Sequence, residues 1–426
     1  MDLKESVNDQ YDILENLKGS VGNLNDIILR LTQHVIASTA GKTSNLVFSP
    51  ALLSVILSFV AASSPDELNA VSSGIVTTIL ADSTPSGGPT ISAANGVWIE
   101  KTLYVEPSFK DLLLNSYKAA FNQVDFRTKA DEVNKEVNSW VEEQTNGLIT
   151  DLLPPNSASS WTDLIFANAL FFNGRWDKKF DPSLTEDSDF HLLDGTKVRV
   201  PFMTRDSFTF HLNVYEAFKV LNLPYREGRE DSRGFSMQIY LPDEKDGLPA
   251  VRVKTRQNLW SLNLVSKLVS LALSSRVANP LSVAIRVSHS SSSFFCLSHL
   301  VLTPAMLERL ASTRGFLNGK EDIPSHWADV GELKIPRFKF DFGFEASEAL
   351  KGLGLEVPST IIHKSCIEVD EVGSKAAAAA VIFVGCCGPA EKRYDFVADH
   401  PFLFLVKEYR SGLILFLGQV MDPSKH

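Results

Sequence analysis

The stretch EVDEVGSKAAAAAVIFVGCCGPAEKRYDFVADHPF, residues 368–402, decides the fold. It places five consecutive alanines between Gly373 and a segment that contains Pro389. Alanine is the best helix former, but a run this short is marginal as an isolated helix. Because alanine side chains also contribute little to a core, the run needs a different explanation, and the remaining sequence narrows it.

The composition predicts a soluble globular protein. The chain has 426 residues, of which 44% are hydrophobic and 22% charged, and its net charge of −10 argues against general nucleic-acid binding. Four cysteines form no disulfide framework in a chain of this length, and a bond between the adjacent Cys386 and Cys387 would be strained. The polar N-terminus lacks the apolar region of a secretory signal, which leads us to expect the cytosol or nucleus.

Hydrophobic periodicity predicts an α+β fold with large antiparallel sheets. Residues 45–64 predict a short strand and then a helix that begins at Pro50, and residues 137–155 predict a helix that Gly147 ends. The apolar run 162–176 predicts a central strand buried on both faces. Further strands are expected at 218–225, 235–244 and 331–344, with hairpins at 189–203 and 402–423.

Motifs of common enzymes are not satisfied. The segment ending in Gly41, Lys42 and Thr43 lacks the first glycine of a phosphate-binding loop, and the nine histidines show no metal spacing. Cys387 with His363 or His400 would make a nucleophile and base, but no orienting third group accompanies them, which favours ordinary structural roles. We therefore predict no enzymatic activity, no metal and no cofactor.

The motifs as an ordered set resemble the serpin family, and the plant serpins most closely. The matching stretches, in family order, are NLVFSP, NGLITDLLP, IFANALFFNGRW, FHLLDGTKVRVPFM, FKVLNLPY, FSMQIYLPDE, FGFEASEALKGLGL, HKSCIEVDEVGSKAAAAA and DFVADHPFLF followed by GLILFLGQVMDP. The resemblance implies one serpin domain over 1–426, with a large antiparallel or mixed sheet A, further sheets, about eight to nine helices and an exposed reactive-centre loop at 373–395.

The resemblance also implies a function, that of a suicide-type protease inhibitor. In serpins a protease attacks the loop and forms an acyl-enzyme, and the cut loop then enters sheet A as a new strand and carries the protease with it. The expected partner is a serine endopeptidase or a papain-like or metacaspase-like cysteine endopeptidase. A monomer without nucleic acid or membrane is expected, and an extracellular location is also compatible with the family.

The alanine run matches the hinge of that loop. Alternate side chains of a strand face opposite ways, and alanine carries no polar group to desolvate and little bulk to obstruct entry into a sheet. A helical or disordered run remains the alternative. The hinge positions carried over from the family are Glu371, Gly373, Ser374, Ala376, Ala377, Ala378 and Ala379.

The family places the scissile bond fourteen residues after the hinge glycine, which implies Cys387-Gly388. Many plant serpins carry Arg or Lys at the position of Cys387, and this departure leaves the target protease open. Cleavage at Lys392 or Arg393 is the alternative, although these residues lie so late that insertion would not be expected to trap the enzyme.

Four residues match the positions that control opening of sheet A. Ser49, Asn168 and His363 match the polar cluster under the sheet, called the shutter, and Trp176 matches the tryptophan at the insertion point, called the breach. Leu52 stands where the family often has serine.

The segment 251–305 departs from the family, because joining Ala250 to Met306 restores the family sequence GLPAMLERL. It has no acidic residue and six basic ones, its first two codons fit a splice donor, and residues 290–298 fit a pyrimidine-rich tract. We interpret it as a retained intron in a surface connection. A basic membrane-surface helix at 259–273 is the rival interpretation.

Two shorter departures affect the surroundings of sheet A. A helix-length segment of the family is missing after Ser64, and residues 353–364 are fewer than usual. With Cys387 and the insert, these departures give weight to an alternative function, a non-inhibitory serpin-fold substrate or binding protein or a defective gene product.

Overall fold

The computed structural model describes residues 12–14, 17, 44–60, 66–147, 149–205, 209–215, 217–229, 231, 233–248, 285–287, 327–347, 360–373 and 393–425. Within these ranges four α-helices are present: α1 Pro50–Val60, α2 Asp66–Gly74, α3 Pro107–Asn115 and α4 Phe126–Gln144. The predicted helix count of the whole chain also concerns residues outside these ranges.

Strands make up most of the remaining described structure. They are β1 Leu46–Phe48, β2 Thr90–Glu100, β3 Leu103–Val105, β4 Ala120–Val124, β5 Leu164–Asn173, β6 Glu186–His191, β7 Lys197–Met203, β8 Thr209–Val214, β9 Phe218–Pro224, β10 Phe235–Pro242, β11 Ile285–Val287, β12 Trp327–Pro336, β13 Phe338–Glu345, β14 Thr360–Val369, β15 Tyr394–Val397, β16 Phe402–Glu408 and β17 Ile414–Val420. The α+β prediction is confirmed.

A five-stranded mixed sheet, which we call sheet A, has the order β13-β14-β5-β2-β4. Its middle strand β5 is apolar on both faces, as predicted. Phe166 and Leu170 pack into the main core, whereas Ala167 and Ala169 on the other face pack with residues of α4. Since successive side chains of a strand point in opposite directions, only a continuous apolar run satisfies both environments.

The second large sheet has ten strands in the order β1-β17-β16-β10-β9-β8-β12-β7-β6, with β15 paired to β12. Both predicted hairpins are present, β6-β7 around Gly195 with φ 84° and β16-β17 at the C-terminus. The alternating run 331–344, predicted as one strand, falls in β12 and β13, which belong to different sheets. The change occurs at Arg337, whose backbone N–H donates to Pro201 O at 2.9 Å.

Helix α4 begins earlier than the sequence pattern predicted. The Asp125 carboxylate accepts a hydrogen bond from Thr128 N at 2.9 Å and caps the first turn, so that the helix starts at Phe126 rather than at Val137. Gly147 with φ 78° follows its C-terminal end, as expected for a glycine that stops a helix.

The insert at 251–305 is described only at Ile285–Val287, where β11 pairs antiparallel with β3. The predicted membrane-surface helix at 259–273 lies outside the described residues. Within the described part of the chain, no helix is long and apolar enough to cross a membrane.

Candidate functional site

The boundary between β5 and β14 forms the centre of the candidate site. These two strands are parallel and directly paired from Ile165–Thr360 to Leu170–Ser365. Beyond this ladder, Gly373 forms an isolated bridge with Arg175. Any segment that enters sheet A between the two strands must therefore break a continuous ladder and then that bridge.

A buried hydrogen-bond cluster links the two strands across this boundary. His363 on β14 lies directly opposite Asn168 on β5, and its Nδ1 is 2.7 Å from Asn168 Oδ1. The His363 Nε2 accepts a hydrogen bond from the backbone N–H of Ser49 at 2.9 Å. Because Nε2 is an acceptor, the ring proton is on Nδ1 and donates to Asn168. The structure therefore brings Ser49, Asn168 and His363 together.

Ser365 is a further member of the cluster, which the sequence analysis missed. Its hydroxyl lies 3.0 Å from His363 Nε2 and is buried. A signal for it was present, because Ser365 is two residues from His363 and shares its face of the strand. The Ser49 hydroxyl has a separate contact, since it accepts from Leu52 N at 3.3 Å in the first turn of α1, and the Leu52 side chain is buried in the core.

Burial keeps the imidazole of His363 neutral. The side chain is fully buried, and removal from water lowers its pKa from 6.5 to about 3. The folded protein therefore binds fewer protons at this residue than the unfolded chain does. The stabilisation is present above the unfolded pKa of about 6.5 and is lost as the pH falls from there toward 3.

We expect acidification to weaken the closed sheet through His363. The free energy of unfolding should be about 2 kcal/mol lower at pH 5 than at pH 8 on account of this residue. Urea unfolding of the wild type and of His363→Gln at both pH values measures the difference, with His191→Gln controlling for loss of a partly exposed imidazole. An unchanged pH dependence in His363→Gln would contradict the assignment.

Trp176 holds the end of β14 just before the hinge. Its indole Nε1 donates to Asp370 O at 2.9 Å, and its backbone N–H donates to Val372 O at 3.0 Å. The ring is buried and stacks on Tyr225, with 4.6 Å between centroids and 11° between planes. Trp176 thus connects the segment after β5 to the segment after β14, where an entering strand would arrive first.

Glu371 forms a second anchor at the same end of the sheet. One carboxylate oxygen accepts from the Thr185 hydroxyl at 2.8 Å, and the other lies 3.7 Å from Arg337 Nε. Its backbone carbonyl accepts from Phe180 N at 2.9 Å. Because the side chain is buried, the loss of either contact would leave a charge poorly compensated.

Gly373 occupies a position that no other residue fits. Its φ is 131°, and a Cβ there would lie 2.2 Å from Gly174 O and 2.6 Å from Arg175 Cα. The Asp370 carboxylate fixes the turn by accepting from the backbone N–H groups of Val372 and Gly373 at 2.9 and 3.2 Å. Burial raises the pKa of this carboxyl despite both hydrogen bonds.

The substitution Gly373→Ala should displace the turn from the Gly174–Trp176 segment and weaken closure of sheet A. Backbone strain of this kind costs about 1–3 kcal/mol, and the clash adds to it. Gly195→Ala is the matched control, since Gly195 also has a positive φ but a Cβ added there would meet nothing within 4 Å. We expect a lower melting temperature for Gly373→Ala than for Gly195→Ala, and equal values would contradict the steric argument.

The remaining predicted site residues, Ser374, Ala376, Ala377, Ala378, Ala379, Cys387 and Gly388, lie outside the described residues. The C-terminal end of the predicted loop is described, and Tyr394 begins β15 beside β12. His400 does not contact these residues in the described structure, because its ring nitrogens lie 2.7 Å from Asp399 Oδ1 and 2.9 Å from Pro242 O.

Comparison with known proteins gives the family. The profile described as "Serpin (serine protease inhibitor)" matches residues 22–273 and 303–423, so the chain belongs to the serpin family. The unmatched residues 274–302 fall inside the segment interpreted as an insert.

The relatives are plant serpins. The chain is 42% identical to Arabidopsis thaliana Serpin-ZX, over 96% of this chain and 99% of the relative. It is 40% identical to the Arabidopsis protein named probable non-inhibitory serpin-Z5, over 94% and 83% of the two chains. The solved structure of Arabidopsis AtSerpin1 in its native stressed conformation matches with a TM-score of 0.72 and 41% identity, over 96% of this chain and 99% of that one.

Proposed function

We propose that the protein inhibits a serine or cysteine endopeptidase by the suicide mechanism. The direct pairing of β5 with β14, with Gly373 at the end of this boundary, is the observation that carries the proposal. It is the arrangement required before insertion, in which sheet A has a place for one more strand. The likeness to a serpin solved in a stressed conformation supports the same state.

The chemistry of the reaction belongs to the protease. Its nucleophilic oxygen or sulfur attacks the carbonyl carbon of Cys387, the bond to the Gly388 nitrogen breaks, and that nitrogen leaves with a proton as the new amine. The acyl group stays on the protease as an ester or thioester. No side chain of the inhibitor needs to act as acid or base in this step.

The inhibitor contributes the movement that follows. Residues from Ser374 onward must enter between β5 and β14, which breaks the His363–Asn168 hydrogen bond and the contacts of Trp176 with Asp370 and Val372. Trapping requires insertion to be faster than hydrolysis of the acyl bond by water. The hydrogen bonds at the boundary are therefore part of what sets the ratio of trapped to released protease.

The alternative is a serpin fold that is cleaved without trapping. The insert, the shortened segments and Cys387 favour it, and a relative of similar identity carries a name that describes it as probably non-inhibitory. The two functions differ in one observable, the survival of the acyl bond after cleavage.

A denaturing gel of the 47.0 kDa chain with trypsin-like, papain-like and metacaspase-like enzymes separates the two. We expect a covalent band of summed mass with one class, absent with an active-site-blocked protease, and mass spectrometry of the released peptide should begin at Gly388. Cleavage without that band in all three classes would contradict inhibition.

The variant Cys387→Arg sharpens the same test. It supplies the basic residue that trypsin-like enzymes require and leaves the scaffold unchanged. A covalent band for this variant alone would mean that the scaffold can trap and that its own target is not trypsin-like. Cleavage of the variant without a band would count against the scaffold itself.

A further inference from the structure

A cavity lies beside Trp176, and strand insertion gives no reason for its polar lining. It lies between the segment after β5, the end of β7 and strands β8 and β9, and it is lined by Trp176, Arg205, Phe210, Asn222 and Leu223, among others. Its volume is about 360 Å³ including the open mouth. This is at the small end of the range for ligand sites.

Arg205 places a positive charge in the wall of this cavity without an ion-pair partner among the described residues. The guanidinium carbon lies 4.4 Å from the ring centroid of Phe210 and 5.2 Å from that of Phe180, and a terminal nitrogen donates to Lys178 O. Its Nε is buried and has no hydrogen-bond partner. Desolvation lowers the pKa to about 10, which leaves the group charged at neutral pH.

Asn222 supplies the complementary group. Its side chain is 6% exposed, and its Oδ1 is buried and has no hydrogen-bond partner. The residue lies opposite His211 in the pairing of β8 with β9, and both residues line the cavity. A buried acceptor without a donor is costly, about 1–3 kcal/mol, and a buried donor without an acceptor is equally so.

The two groups and the apolar walls define the chemistry of a ligand. A carboxylate would accept from Arg205 Nε and compensate the guanidinium charge. A hydroxyl on the same molecule would donate to Asn222 Oδ1, and an apolar body would pack against Trp176 and Leu223. We propose that this cavity binds a small hydroxy-carboxylic acid with an apolar ring or chain.

The position next to Trp176 gives such a ligand a contact with the hinge. The same indole that lines the cavity donates to Asp370 O, one residue before Glu371 and three before Gly373. Binding is nevertheless independent of protease inhibition, because every contact in the proposal is made by the intact protein. The site can therefore be tested without any protease.

Calorimetric titration of the intact chain with 2-hydroxybenzoate and with benzoate tests the proposal. We expect 2-hydroxybenzoate to bind roughly fivefold or more tightly, since it alone offers the hydroxyl donor. Asn222→Leu should remove this preference and leave benzoate binding intact. Because that substitution deletes an unsatisfied buried group and keeps the volume, the variant should fold.

Arg205→Met should weaken both ligands about tenfold or more, as expected for loss of a charged hydrogen bond. Arg199→Gln is the matched control, an exposed arginine on β7 that donates to Asp187 O, and it should bind as the wild type does. Arg205→Lys, compared at the same melting temperature, replaces Arg205→Met if the latter does not fold. Absence of wild-type binding, equal binding of the two acids, or binding unaffected at Arg205 would each overturn the proposal and leave the two polar atoms to water.

Discussion

Cleavage of the loop at 374–392 is expected to raise the melting temperature of the protein by at least about 10 °C. An inserted strand of about ten residues can form about twenty backbone hydrogen bonds with β5 and β14 and breaks about six between them. At about 1 kcal/mol net for each, the gain is about 14 kcal/mol, and a chain of this length gains about 1 °C per kcal/mol. The uncleaved fold would then be a metastable state protected by a barrier.

Scanning calorimetry of the intact and the nicked protein at one scan rate measures this gain. The nick is made by a protease that cuts within 374–392 and is then inactivated, and mass spectrometry confirms a single cut. The matched control is a nick within 251–284, in the segment interpreted as an insert, which should leave the melting temperature unchanged. A nicked loop without a rise would mean that sheet A does not accept the strand, and inhibition by trapping would fail with it.

The strands around the insertion boundary were predictable because their patterns have a single physical solution. The run 162–176 is mostly apolar with no alternation, which only a strand buried on both faces satisfies, and β5 has that environment. The break between β12 and β13 was not predictable in this way. Alternation continues across Arg337, and the change of sheet depends on contacts with β7 and β14 that are distant in sequence.

The site shows the same division between local and distant information. Gly373 could be singled out because glycine marks special backbone geometry, although the clash with Gly174 O depends on the approach of β5. Ser365 was missed because a serine in a strand has no local signal for a partner, and its role follows only from the position of His363. The cavity at Arg205 and Asn222 joins a residue of β9 with a residue after β7, and no short motif contains both.

The contacts at the boundary also explain how one sheet can be both closed and able to open. His363 and Asn168 lie in a dry interior, where hydrogen bonds are strong but few. Trp176 and Glu371 add contacts at the end where insertion begins. Each of these contacts can break singly as a strand advances, so the barrier is passed in steps rather than all at once.

The substitution Ser374→Arg should abolish most of the trapping while leaving cleavage intact. Ser374 is the first residue after the hinge glycine and would be the first to enter sheet A. A guanidinium entering there would be buried without a partner, at a cost of roughly several kcal/mol. The acyl bond would then be hydrolysed before insertion is complete, and we expect the covalent fraction on a denaturing gel to fall about tenfold or more.

Lys375→Arg is the matched control, because it places the same side chain one residue later, where a cation already stands and where a strand would direct it to the opposite face. Its covalent fraction should stay within about twofold of the wild type, since one cation replaces another. Nicked Ser374→Arg should also lose most of the rise in melting temperature, which ties the kinetic result to the insertion itself. If Ser374→Arg trapped protease as well as Lys375→Arg does, the hinge could not begin at Gly373, and the scissile bond assigned by counting from it would have to be moved.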